Sequence, residues 1–421
     1  MTAPPEKPMP PLVGGISSAG RSLPELDGVK FRTARAKGPY LWDEDGRRYI
    51  DLVQGFGAAM LGHSAEAVNA AVSEAVAAGA LPGFAHGAEE RAAAALTRRT
   101  GKLTRAIFVN SGSEAVQLAC QTARARTGRR LIAKFAGAYH GWHDGPALGR
   151  PGSPEAKLDD EERKVQGQFT LLRFNDTDDI ERLFSGRHDI AAILIEPVLA
   201  NAGCIRPAPS YLKSLAQAAR RHGALLIADE VLMGFRVHNG LFSHQCGLSP
   251  ELAAVGKAIG SGVAVAALIG TDEIMADEDG GRPLRAGTYS GNPVASAAVS
   301  ATMAGLENID YRRVLARGDR LRARLSAAAA NAGLTLCTSG FGSMFTIWFR
   351  ETPPGSYAAA LAARRPELSM QLHLRLRRRG VLTMPDGFGR CFITAAHDDE
   401  VLEETASIFE QVLAEMADIA G

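Results

Sequence analysis

From about residue 88 to residue 270, short uninterrupted apolar runs alternate with segments whose apolar residues recur at helical spacing. The runs are AIFVN (106–110), LIAKF (131–135), IAAILI (190–195), ALLIA (224–228), LAAV (252–255) and VAVAALIG (263–270); SEAVQLACQTARAR (113–126) and YLKSLAQAARRH (211–222) are helical. Such runs, separated by helices, predict a mainly parallel sheet buried on both faces, and the fold class is α/β. Upstream, PYLWDEDGRRYIDL (39–52) alternates around Asp45-Gly46 and reads as a β-hairpin, and a helical run from Ser64 to Ala78 stops at Gly79. Beyond about 310 the chain becomes a separate α+β region. It has a basic helix (311–333), a strand-like GSMFTIWF (342–349), an arginine-rich helix near 366–379, the segments VLTMP and RCFITAA, and a last helix from Asp398. The divisions expected are 1–60 (arm and hairpin), 61–310 (large domain) and 311–421 (small domain).

Composition narrows the partners. The 421 residues carry 47 basic and 46 acidic side chains for a net charge of +1, which gives no electrostatic footprint for nucleic acid or an anionic membrane. Acidic residues interleave the arginine runs, so these read as solvated helix faces. The proline-rich start (MTAPPEKPMPPLVGG) has no apolar run and no stretch resembles a membrane span, so the default location is cytoplasmic. Cys120, Cys204, Cys246, Cys337 and Cys391 show neither a disulfide framework nor metal-ligand spacing, and no metal is expected. Nine of the 47 basic residues are lysines, and none follows Lys257.

Ligands of open α/β sheets bind beyond the carboxyl ends of the strands. After AIFVN comes Ser111-Gly112-Ser113-Glu114, which opens a helix and presents N–H donors to an anion; the same residues equally suit an N-cap. Glu196 follows IAAILI and Asp229 follows ALLIA, where a buried acid needs a cationic or hydrogen-bonding partner, in a ligand or in the fold itself. Lys257, in LAAVGKAIGSG, has apolar neighbours that favour an uncharged, nucleophilic amine, although the segment alone also suits a lysine snorkelling from a sheet edge. A phosphate cradle, a buried acid and a desolvated lysine at one sheet edge match the phosphate, pyridinium nitrogen and aldehyde of pyridoxal phosphate.

NSGSEA, AYHGWHD, IEP, IADEVLMGFR, VGKAIGSG and AGTYSGNP occur in the order and approximate spacing of the class III aminotransferases of the fold-type I pyridoxal-phosphate superfamily, which this chain resembles from about residue 39 to residue 400. The resemblance implies a large domain with a mainly parallel sheet and a smaller α+β domain built from both chain ends. It implies that Lys257 is the Schiff-base lysine and later carries the proton, and that Asp229 keeps the pyridine nitrogen protonated. Val231 and Tyr139 would cover the two ring faces, Ser111, Gly112 and Ser113 would hold the phosphate, and His140 and Glu196 would lie beside the cofactor. Thr288 resembles a phosphate contact supplied by a partner subunit, which implies a homodimer with shared active sites.

GGISSAGR (14–21), VQGFGAAMLGH (53–63) and FITAAHDDE resemble the subgroup of glutamate-1-semialdehyde 2,1-aminomutase and the β-amino acid and D-phenylglycine aminotransferases. That resemblance makes Arg21 and Phe56 substrate-binding residues, Arg21 as a carboxylate clamp, and leaves Arg390 as a second carboxylate site. The charged segment 149–168 is unlike the mutase lid, Phe56 stands where the mutase has tryptophan, and Gly389 where an acid is expected. These departures favour ping-pong transfer from a carboxylate-bearing amino donor, a β-amino or unusual α-amino acid, to a keto acceptor. The alternative is an intramolecular aminomutase or an amino-acid racemase or epimerase using the same lysine.

Overall fold

In the computed structural model, residues 11–158, 165–276 and 283–420 are described. The first ten residues of the proline-rich arm and 159–164 of the charged segment lie outside the described residues. All six predicted apolar runs enter one sheet, as Arg105–Val109, Leu131–Phe135, Ile190–Ile195, Leu225–Asp229, Leu252–Val255 and Ala266–Gly270. The last is shorter than expected, because Val263 closes a turn on the Gly260 carbonyl before the strand begins. Two further strands, Phe169–Leu172 and Val165–Gln166, extend the sheet to eight. The polar Thr170 interrupts the apolar run that marks the other strands, yet all four residues of Phe169–Leu172 are buried.

The Leu252–Val255, Leu225–Asp229, Ile190–Ile195, Leu131–Phe135 and Phe169–Leu172 strands pair parallel in that order. Arg105–Val109 points the same way, being antiparallel to Ala266–Gly270, which is itself antiparallel to Leu252–Val255. Six strands therefore deliver their carboxyl ends to one edge of the sheet.

The hairpin forms as Tyr40–Asp43 and Arg48–Asp51, joined by Thr33–Lys37 on one side. On the other side Val381–Leu382 runs parallel to Arg48–Asp51, so residues from both chain ends share a four-stranded sheet. A three-stranded sheet of Cys337–Phe341, Met344–Trp348 and Arg390–Phe392 lies in the C-terminal part. Helices Gly87–Thr97, Thr177–Phe184 and Pro293–Glu307 were not anticipated. The first and third are rich in alanine and other small residues and lack a wide apolar stripe.

The arginine face of helix Tyr311–Asn331 is ion-paired rather than merely solvated. Arg313, Arg317 and Arg320 converge on Asp399, and Arg324 reaches Glu403 and Glu410, all on the last helix Asp399–Ala420. Apart from the pair made by the buried Arg317, these are exposed contacts that contribute at most about 1 kcal/mol each. Their arrangement fixes the pairing of the two helices more than it stabilises it. Among the described residues no helix is long and apolar enough to cross a membrane.

Candidate active site

The carboxyl edge of the sheet gathers the predicted residues. Helix Gly112–Thr127 starts directly after strand Arg105–Val109 with a capping box: the Glu114 N–H donates to Ser111 Oγ at 3.3 Å, and Glu114 Oε2 accepts from the Asn110 and Ser111 N–H groups at 2.6 and 3.2 Å. The Ser111 hydroxyl is thus an acceptor for its own helix. The N–H groups of Gly112 and Ser113, in the first turn, have no intrahelical acceptor and lie at the positive end of the helix dipole. A Cβ on Gly112 would stand 2.9 Å from Val231 Cγ1, and one on Gly256 3.4 Å from the same atom. Val231 is therefore wedged between the helix start and the segment that carries Lys257.

Lys257 opens a single 3-10 turn, Lys257–Ile259, with φ +46, a conformation that strains a side-chain-bearing residue. Its amine has no hydrogen bond or ion pair among the described residues. Burial lowers its pKa to about 8, the Arg390 and Arg236 guanidiniums push the same way, and the Asp229 and Glu196 carboxylates oppose them. The neutral, nucleophilic form of Lys257 is thus far better populated near physiological pH than that of an ordinary lysine, although the charged form still predominates.

Asp229 ends its strand nearly buried, with Oδ1 accepting from the Val231 N–H at 3.1 Å and Oδ2 2.7 Å from His140 Nδ1. Burial lowers the His140 pKa and the Asp229 contact opposes that shift. Burial thus favours the neutral imidazole, which can donate from Nδ1 to Asp229 Oδ2. His140 Nε2 is buried without a partner. His140 therefore touches Asp229 directly and fixes its orientation. Glu196, also buried, accepts from the Tyr139 N–H at 2.6 Å and the Ala200 N–H at 3.3 Å, and burial raises its pKa to about 8. Tyr139 leaves its ring 43% exposed at the mouth of the site. Gly141 has φ +100, and a Cβ there would lie 2.4 Å from Ser113 Oγ, so the Tyr139-His140-Gly141 turn lies against the start of the cradle helix.

Phe56 is half-buried in the turn Gln54–Gly57, where Gln54 and Phe56 have φ +46 and +56. Asp51 holds this turn by accepting from the Val53 and Gln54 N–H groups at 2.8 and 2.9 Å, and the fully buried Arg236 donates to the Gly57 carbonyl. These bonds offset strain of roughly 1–2 kcal/mol per left-handed residue. Arg21 and Thr288 are not brought to the cluster by contacts within one chain. Arg21 closes an exposed 3-10 turn, Ala19–Arg21, and Thr288 sits on an exposed turn.

Two further groups stand out: Glu230, to which the sequence assigns no role, and Arg390, for which the subgroup resemblance implies a carboxylate site. Glu230, next to Asp229, is completely buried and accepts from the Phe242 and Ser243 N–H groups at 3.1 and 2.6 Å, anchoring the segment behind Asp229. Arg390 is buried at the start of its strand, its Nε has no partner, and among the described residues no carboxylate pairs with it. An unpaired buried guanidinium in a chain whose other arginines so often meet acids is a signal that sequence position alone does not carry.

Residues 25–413 match the model of the family described as Aminotransferase class-III. A glutamate-1-semialdehyde 2,1-aminomutase from Rhodopirellula baltica is 34% identical over 412 residues, covering 95% of this chain and 92% of that protein. An omega-transaminase from Sphaerobacter thermophilus superposes with a TM-score of 0.86 at 30% identity, covering 97% and 95% of the two chains. A β-phenylalanine aminotransferase from Variovorax paradoxus gives 0.86 at 29% identity over 97% and 92%. A transaminase solved with pyridoxal phosphate bound gives 0.86 at 28% identity over 97% and 95%.

The residues fit that cofactor by their own geometry. The helix start offers two N–H groups with Val231 packed against its glycine, a carboxylate two residues before Val231 is oriented by histidine, and a lysine amine electrostatically coupled to that carboxylate stands without a partner. A sheet that brings these groups to one edge, and a match spanning nearly its whole length, make this chain a fold-type I enzyme of the class III aminotransferase family, whose members use pyridoxal phosphate.

Proposed function

We propose that the enzyme moves an amino group from a carboxylate-bearing amino donor, β-amino acids included, to a keto acceptor in two half-reactions at one site. The observation that carries this reading is Arg390, a buried guanidinium without an acid partner among the described residues, close enough to Lys257 to depress its pKa. A planar, permanently charged fork is suited to a carboxylate, and binding one would satisfy the donors the fold leaves open. The β-phenylalanine aminotransferase among the structural neighbours supports a donor of the β-amino class.

When bound, pyridoxal phosphate supplies the electron sink that lets an amino acid lose its α- or β-proton. The chain supplies the rest. Gly112 and Ser113 bind the phosphate through their N–H groups, Val231 and Tyr139 enclose the ring, and Asp229 with His140 behind it holds a proton on the ring nitrogen. Lys257 takes the proton from the substrate carbon as a neutral amine and returns it as an ammonium. Glu196 fixes Tyr139 through its backbone, and Phe56 shapes the substrate side. The exposed Phe84, Trp142, Leu284 and Tyr289 support pairing with a second copy, in which the partner subunit's Thr288 completes the phosphate site and Arg21 closes over a substrate carboxylate.

Two measurements follow. Mixed with one β-amino acid and no acceptor, the enzyme releases one equivalent of keto product per site and retains the amino group; isomerised amino acid without keto product would establish the mutase or racemase reading instead. Second, because the neutral amine is the nucleophile and Lys257 titrates at about 8, capture of the cofactor by the apoprotein speeds up with pH, is half-maximal near 8 and levels off above it. A rate still climbing toward 10.5, the ordinary lysine value, would contradict the depressed amine.

A further inference from the structure

Lys134 is the fourth residue of strand Leu131–Phe135, all five residues of which are buried. Its side chain is fully buried, and among the described residues no acid forms an ion pair with it. The amine donates instead to three main-chain carbonyls: Pro146 at 2.8 Å, Ala138 at 3.5 Å, and Leu148. Ala138 lies at one end of the excursion that leaves the strand, and Pro146 and Leu148 at the other. The Gly137 N–H closes the base of that excursion on the Gly149 carbonyl at 2.8 Å. Within it lie Tyr139, whose N–H meets Glu196, and His140, whose ring meets Asp229.

We propose that Lys134 is a positioning residue: its ammonium, saturated by the carbonyls of Ala138, Pro146 and Leu148, ties both ends of the 138–148 loop together and so sets Tyr139 and His140 against Glu196 and Asp229. An ammonium has three donors, and three carbonyls meet them. Burying the charge costs several kcal/mol, and a methionine of similar length would fill the strand position without that cost. The sheet therefore gains nothing from a lysine here, whereas the loop gains a fixed point. Burial pulls the amine's pKa down, with Glu196, Cys120 and Asp229 opposing that shift; the lone pair of a neutral amine would face a carbonyl oxygen, so the three acceptors hold the third proton in place. The relevance of this loop to catalysis rests on the reading that Tyr139 and His140 line the cofactor site.

The test compares Lys134→Met and Lys134→Gln with the wild type as full-length chains, with and without pyridoxal phosphate, by amide hydrogen exchange and by cofactor affinity. The account predicts that amides of 138–148 exchange at least about tenfold faster in Lys134→Met, with a smaller change in Lys134→Gln, while strands Ile190–Ile195 and Leu225–Asp229 keep their protection. Cofactor affinity falls at least about tenfold, the equivalent of about 1.4 kcal/mol. Loop exchange within twofold of wild type overturns the assignment. So does lost protection spread over the sheet, or failure of both variants to fold, since each places Lys134 in global stability. A loosened loop with unchanged cofactor affinity upholds the tie and overturns instead the placement of Tyr139 and His140 at the cofactor.

Discussion

Replacing Lys257 with alanine is expected to lower turnover by at least about four orders of magnitude, since the proposed mechanism makes this residue both the attachment point and the proton carrier and proton transfer alone is worth about 10²–10⁴. The protein itself tolerates the change. The amine makes no hydrogen bond among the described residues, its charged form is disfavoured by burial, and its backbone is already strained at φ +46. The melting temperature of the apoprotein therefore does not fall, and a thermal scan beside the activity assay separates lost chemistry from lost structure. Retained turnover within about tenfold of wild type would remove Lys257 from the mechanism.

Asp229→Asn gives the second-largest loss. The amide keeps the shape and can still accept from His140, but it removes the negative charge that the proposed mechanism sets against the ring nitrogen, and an unpaired buried charge costs about 3–5 kcal/mol. Turnover then drops by roughly two to three and a half orders of magnitude. The cofactor is also held more weakly. Stopped-flow measurement of the donor half-reaction checks this directly: the loss belongs in the proton-removal step, and a change confined to substrate affinity would argue against a role for Asp229 at the ring.

Much of this site could be read in the chain because its residues follow strands that announce themselves. Uninterrupted apolar runs delimit the strands, a shared strand direction puts their ends together, and Ser111–Ser113, Glu196, Asp229 and Lys257 each lie at or just beyond such an end. Residues that act from within a strand, or through another side chain, leave no such mark. Lys134 sits inside LIAKF, where a charge looks like an interruption of the apolar pattern. Lysine scarcity, which drew attention to Lys257, applied to it equally. The sequence does not show that His140 meets Asp229, 89 residues away, at 2.7 Å. The strand Phe169–Leu172 was missed because Thr170 breaks its apolar run, and the pairing of the arginine helix with Asp399 depends on contacts some 80 residues apart. Arg21 and Thr288 remain outside the single-chain cluster, on exposed turns.

The central claim is that Lys257 carries the cofactor. Borohydride reduction of the loaded enzyme, followed by proteolysis and mass mapping, fixes the attachment point. One reduced adduct per chain is expected, on the peptide containing Lys257; an adduct on the fully buried Lys134, or no adduct at all, would contradict it.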